Sequence, residues 1–376
     1  MKRFVYADNA ATTQMDIEVF DAMKPYLLDE YGNASQPYSF SRNSKMGLKK
    51  AREIIASCIN AKPSEIYFTS GGTESDNWAV KGTMFASLEK KTLITSQIEH
   101  HAILRSADSL EHKGFSIVRL EVSKDGIVEP DTLSRTITDD TQLVSIMFVN
   151  NEIGTIQPIK ELAMIAHSKG ALFHTDAVQA IGHIPIDVKE LGVDLLSASA
   201  HKFNGPKGIG FLYIKNGIDI VPYFDGGAQE HSMRAGTENI PAIVGMACAL
   251  QNNCKQINTN MHKLNEMTKV ILHRLKENQN VDFLKNGGDN TLPGMLSLSF
   301  RNAFGEAILH RLDLRGVCVS TGSACDSINT NISHVLQSIG LKEEYAKGTI
   351  RISLGKRNTI EDVDYIVNEI IKIFKN

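Results

Sequence analysis

Short apolar runs separated by amphipathic stretches constrain the fold of this chain more than any other feature. The runs EIYFTS (65–70), TLITS (92–96), LVSIMFV (143–149), ALFHTD (171–176), DLLSAS (194–199) and GFLYI (210–214) have the length and bulk of buried strands. Helical patterns lie between the earlier ones. From Ser44 to Asn60, the residues Leu48, Ala51, Ile55 and Cys58 fall near one helical face, and Pro158 to Lys169 reads as a helix opened by proline. This alternation predicts an α/β fold with a mainly parallel sheet and helical crossovers. After about Val244 the texture changes to a long helical stretch through Leu275, then LSLSF (296–300), a helix near Gly305 to Leu314, IRISL (350–354) and a terminal amphipathic helix. That is the pattern of a smaller α+β domain. The expected division is a large domain over 13–256 and a small one made of 1–12 with 257–376.

A chain of 376 residues exceeds the size at which one core stops growing, in keeping with two domains. Hydrophobic residues at 42% and charged ones at 22% give an ordinary globular composition. The net charge of -3 argues against binding to nucleic acid, which calls for a basic surplus. The start, MKRFVYADNAATT, reaches Asp8 and Asn9 before any apolar run long enough for a signal peptide, and no stretch has the apolar length of a membrane span. A soluble cytoplasmic protein is therefore expected. Five cysteines, Cys58, Cys248, Cys254, Cys318 and Cys325, are odd in number and lack C-x-x-C spacing.

Five segments are candidates for chemistry, and each also has a bland reading. In SASAHKFNGPKGIG, Lys202 follows a buried strand beside His201 and a glycine-rich turn; a desolvated amine there would condense with an aldehyde cofactor, although most strand-end lysines are merely solvated. In FHTDAVQA, Asp176 stands at the carboxyl edge of the predicted sheet, where it would pair with a protonated ring nitrogen. His174 shares its strand face as a metal-binding pair would, but no third ligand stands at a convincing spacing. SGGTESDN, from Ser70 to Asn77, would hold a phosphate on backbone N–H groups and the Thr73 hydroxyl, or would simply be a capped helix start. IEHHAIL offers His100 or His101 to stack on an aromatic ring and move protons. STGSACDSINTN surrounds Cys325 with small polar residues that keep a thiol accessible, whereas Cys58 and Cys248 sit on helical patterns and Cys318 in a valine-rich run.

Taken in order, DNAATT, SGGTESDN, EHHAIL, VNNEIGTIQPI, HTDAVQA, SASAHKFNGPKGIG, RAGTEN, STGSACDS and IRISLGKRNT resemble the NifS-type cysteine desulfurases of the aminotransferase class V group, fold-type-I enzymes that use pyridoxal 5'-phosphate (PLP). The resemblance runs from about Tyr6 to the terminal helix, and the SGSAC loop is its most specific part. It implies Lys202 as the Schiff-base lysine, Asp176 as partner of the pyridine nitrogen and His100 as the stacking base. It also implies Gly72, Thr73, Ser199 and His201 around the phosphate, with Gln179 at the phenolic oxygen. Thr237 in RAGTEN would reach the phosphate of a partner subunit, making the active unit a homodimer. Asn151 and Arg351 would bind the carboxylate of L-cysteine, and Cys325 would take its sulfur as a persulfide, leaving L-alanine. A sulfur-acceptor protein such as an iron–sulfur scaffold is the implied partner. Two departures stand out: GGT replaces GAT, and Asp326 follows the cysteine, where its charge would raise the thiol pKa. A selenocysteine lyase, another class V PLP enzyme and a non-catalytic scaffold are the competing readings.

Overall fold

The computed structural model describes residues 3–87, 89–321 and 332–375. Its strands are β1 (Val5–Tyr6), β2 (Ile66–Thr69), β3 (Thr92–Ser96), β4 (Ser116–Leu120), β5 (Thr141–Ser145), β6 (Leu172–Asp176), β7 (Leu195–Ser199), β8 (Gly210–Ile214), β9 (Phe283–Asn286), β10 (Met295–Phe300), β11 (Val317–Cys318) and β12 (Thr349–Ser353). Seven form one sheet in the order β2-β8-β7-β6-β5-β3-β4. The pairs from β7 to β4 are parallel, and β8 runs antiparallel to both β7 and β2. The α/β class expected from the alternation is the one observed.

Side chains alternate across this sheet, so adjacent residues enter different cores. Ile94, Val144, Leu196 and Phe211 join the apolar cluster on one face, which includes Val19, Ile55, Phe173 and Leu250. Their neighbours Leu93, Leu143, Leu195 and Leu212 join Trp78, Ile103 and Leu110 on the other. The helix Arg42–Cys58 covers the first face by burying Gly47, Ala51 and Ile55 at helical spacing. Gly47 leaves room there for Tyr26, since a Cβ would lie 2.6 Å from its hydroxyl and push the ring aside.

A third cluster, with Leu264, Ile271, Leu298, Ile350 and Ile366, belongs to the antiparallel sheet β12-β10-β9 and its helices. The helix Ile240–Lys276 contributes Leu250 to the first cluster and Leu264 to this one, and the expected boundary at Gln256 falls inside it. Asn239 caps its start through Ala242 N–H at 3.3 Å. The terminal helix Ile360–Phe374 opens on a capping box between Thr359 and Asp362. The first dozen residues touch both parts. β1 pairs with β11 and Asp8 bridges to Ser353, whereas the Ala10 carbonyl accepts from the Gln179 amide at 2.9 Å.

The expected strand at 143–149 ends at Ser145, but its backbone stays extended: Ile146 N–H donates to the His174 carbonyl and Phe148 N–H to that of Asp176. The helix expected to open on Pro158 begins at Ile159, with Pro158 as its cap. Among the described residues no helix is long and apolar enough to cross a membrane.

Candidate active site

In an open parallel sheet, ligands collect at the carboxyl ends of the strands. Here β6 ends at Asp176, β7 at Ser199 just before His201 and Lys202, and β3 three residues before Glu99 and four before His100. β2 reaches the same edge, since Thr69 pairs with Gly210 and Gly210 with Ser199. One cavity at this edge is lined by Gly72, Thr73, His100, Asn151, Asp176, Gln179, Ser199, His201, Lys202 and Arg351. These ten are all the expected site residues except Thr237 and Cys325. Thr237 is exposed outside the cavity, and Cys325 lies outside the described residues.

The Lys202 amine donates to the carbonyls of Ala10 at 2.5 Å and Ala11 at 3.0 Å. Its turn is held from both sides. The His183 ring bonds the Lys202 carbonyl at 2.9 Å, and the Asn253 amide donates to the Phe203 carbonyl at 2.7 Å. Asp176 is buried and accepts from Val178 N–H at 2.9 Å; burial pushes its carboxyl up to about 6, against the opposing pull of that hydrogen bond and of Lys202. Gln179 donates to the Ala10 carbonyl at 2.9 Å.

His100 caps the helix His101–Glu111, its Nδ1 accepting from Ala102 N–H at 3.2 Å. A nitrogen that accepts carries no proton, so the neutral ring keeps its hydrogen on Nε2. Burial, reinforced by Lys202, brings its pKa down to about 4 and keeps the ring neutral near pH 7. Burial also lowers His201 to about 4; its Nδ1 lies 3.1 Å from the Thr12 hydroxyl.

The backbone at Gly71 takes φ +152°, and a Cβ on Gly72 would lie 2.7 Å from Val178 Cγ2, so a bare loop faces the cavity where β2 turns into the helix Gly72–Asn77. An adjoining cleft is lined by Gly71, Gly72, Thr73, Ser199 and His201 but not by Arg351 or Asn151. The helix continues through a wider turn at Trp78–Gly82.

Arg351 is 3% exposed and stands within β12, its guanidinium donating to the Asn151 carbonyl at 2.7 Å and to Asp8 at 2.8 Å. Its Nε has no partner among the described residues.

Several polar groups of the cavity were not singled out from the sequence. Asp76 is buried, its Oδ1 without a hydrogen bond among the described residues but 3.9 Å from His174 Nε2, and burial followed by the nearby Asp176 raises its pKa. Glu152 accepts from the Ser333 hydroxyl at 2.5 Å, and the His334 ring donates to the Glu99 carbonyl at 3.0 Å. Asp76 follows Gly72 by one helical turn, which was a legible signal; His334 arrives from the far end of the chain and gave none. Both ring nitrogens of His174 are engaged by hydroxyls, Ser145 at 2.8 Å and Ser197 at 3.0 Å.

This donor set fits PLP on chemical grounds: an amine beside a buried carboxylate, a neutral imidazole, and a bare glycine loop with hydroxyls for a phosphate. The comparisons with known proteins agree. The family model for aminotransferase class-V matches residues 5–366. A cysteine desulfurase IscS of Dictyoglomus turgidum is 48% identical over 376 residues, covering 100% of this chain and 95% of the relative. A solved NifS-like protein superposes with a TM-score of 0.93 at 38% identity, with 100% of both chains covered. A structure described as SspA in complex with cysteine has a TM-score of 0.82 at 36% identity, covering 94% of this chain and 99% of that one. The fold and the site thus define a PLP-dependent enzyme of fold type I. The chain belongs to the aminotransferase class-V family and, within it, to the cysteine desulfurases.

Proposed function

We propose that this protein takes sulfur from L-cysteine as a persulfide on Cys325, releases L-alanine and hands the sulfur to an acceptor protein such as an iron–sulfur scaffold. The observation that carries the reading is the shared cavity of the Lys202 amine, the Asp176 carboxylate and the Arg351 guanidinium. When bound, PLP supplies an electron sink that makes the substrate α-proton removable. In this assignment the Lys202 amine would hold the cofactor and would carry the α-proton. Asp176 would keep the pyridine nitrogen protonated, and the uncharged His100 ring would stack on the cofactor and could exchange a proton through Nε2. Gln179 would serve the phenolic oxygen, and Gly72, Thr73, Ser199 and His201 would hold the phosphate. Arg351 and Asn151 orient the substrate carboxylate, a task suited to the planar fork of arginine. The Cys325 thiolate would attack the substrate sulfur, forming an S–S bond as the substrate Cβ–S bond breaks and the carbon fragment, once protonated, leaves as alanine; Cys325 lies outside the described residues, and its role rests on the STGSACDS segment and on the named relatives.

The homodimer belongs to the same proposal. Thr237 is exposed, and the stretch before it is tied to the helix Gly72–Asn77 by the Arg234–Glu74 pair at 2.8 Å, so it stands ready to meet a second copy's phosphate cleft. We also assign residues 13–256 to a large domain and 1–12 with 257–376 to a small one, and place the protein in the cytoplasm, where free thiols such as Cys58, Cys248, Cys254 and Cys318 persist. Alanine release from L-cysteine by the purified holoenzyme tests the activity. Release only from selenocysteine would move the assignment to a lyase. Sedimentation of the active species tests the dimer.

A further inference from the structure

Away from the cavity, two cysteines meet across a helix pair. Cys58 is the last residue of the helix Arg42–Cys58, and Cys254 lies in the helix Ile240–Lys276 packed against it. Their thiols are near enough to perturb each other's ionisation. Both are half-buried, and both line the same two surface clefts, one with Ile59, Ile184 and Ile257, the other with Lys50 and Lys255. Small solutes therefore reach both sulfurs. Cys248 differs, its thiol resting 3.8 Å from the Glu18 carbonyl.

We propose that Cys58 and Cys254 are a modification site, a thiol pair that closes to a disulfide when a peroxide enters these clefts. The pair shares its protons unevenly. The neighbouring Cys58 thiol holds Cys254 below its ordinary range, whereas Cys254 and burial hold Cys58 above it. Cys254 is thus the sulfur that ionises and attacks first. Its thiolate takes one oxygen of hydrogen peroxide as the O–O bond breaks, giving a sulfenic acid and, with one proton, a water molecule. The Cys58 sulfur then attacks that sulfur. The S–O bond breaks, the Cys58 proton leaves with the hydroxide as a second water, and each sulfur has given one electron to the peroxide.

The site adjoins the turn of Lys202. Asn253, next to Cys254, donates to the Phe203 carbonyl, and Gly182 of the apolar cleft precedes His183, which bonds the Lys202 carbonyl. A bond between the two helices would fix the position of Asn253.

The test is peptide mapping of the holoenzyme after brief exposure to hydrogen peroxide, alkylation and digestion without reductant. The expected product is a cross-linked peptide pair joining Cys58 to Cys254, two hydrogens lighter than the separate peptides and reversed by dithiothreitol. It should form about tenfold ahead of any oxidation of Cys248 or Cys318. In Cys58→Ser the cross-link should vanish and dimedone should trap a sulfenic acid on Cys254. The proposal is overturned if both cysteines stay fully alkylatable in the unsubstituted protein, if they oxidise separately to sulfinic acids, or if either pairs only with Cys325.

Discussion

The two ends of the cavity are built by different means. At the cofactor end, Asp176, Ser199, Lys202 and His100 all sit on or within four residues of the carboxyl ends of three parallel strands of one sheet, β6, β7 and β3, so one rigid sheet edge sets their positions. At the carboxylate end, Arg351 comes from a separate antiparallel sheet and is held by Asn151 and Asp8, 200 and 343 residues away in the chain. The first arrangement is a property of one strand pattern. The second exists only after distant segments have met. Substitutions at the cofactor end should therefore abolish chemistry, and those at the carboxylate end should weaken substrate binding while leaving the cofactor in place.

The largest effect is expected from Lys202→Ala. Turnover should fall by more than about a thousandfold, and after borohydride reduction and denaturing dialysis the parent should retain reduced cofactor covalently bound to the Lys202 peptide by mass, whereas the variant should retain none. The phosphate loop and Asp176 remain, so reversible cofactor binding should survive. Arg351→Lys should act at the other end, raising KM for cysteine about tenfold by removing the planar fork while keeping the charge. An unchanged KM with a lost cofactor spectrum would erase the distinction between the two ends.

A third prediction uses pH to probe the sheet edge. His174 is fully enclosed and its pKa is lowered by burial from 6.5 to about 3. The unfolded chain therefore takes up the proton first, and the stability due to the neutral ring is complete above pH 6.5 and lost as pH falls towards 3. Relative to His174→Asn, the parent apoprotein should lose about 1.4 kcal/mol of unfolding free energy per pH unit below 6.5. Parallel curves in urea denaturation would contradict the buried neutral state. The smallest effect is expected at Thr237, where Thr237→Ala should weaken cofactor retention only a few-fold, by about 1 kcal/mol for one hydrogen bond.

The same contrast explains what could be read from the sequence. β2, β3, β6, β7 and β8 announced themselves as continuous apolar runs because both faces of the sheet are covered. β4, at the sheet edge, did not: Ser116 is exposed and Arg119 pairs with Asp108 and Glu111, so its run lacks the apolar signature. Lys202, Asp176 and His100 follow strands that were visible, and their motifs could be placed. Arg351 was found only through the family resemblance. Glu152 and His334 went unnoticed because burial of a polar side chain beside a cavity is decided by tertiary packing and leaves no local pattern, whereas Asp76, one helical turn after Gly72, could have been read.

The central claim is that sulfur leaves cysteine for Cys325. Its most direct test is mass analysis of the holoenzyme after a brief pulse of L-cysteine, digested without reductant, with Cys325→Ser treated alongside. The account predicts one added sulfur atom on the Cys325 peptide and none on the peptides of Cys58, Cys248, Cys254 or Cys318, with alanine release nearly abolished in the serine variant although cysteine still changes its cofactor spectrum. Alanine release at the parental rate from Cys325→Ser, or added sulfur found only on the other cysteines, would contradict it.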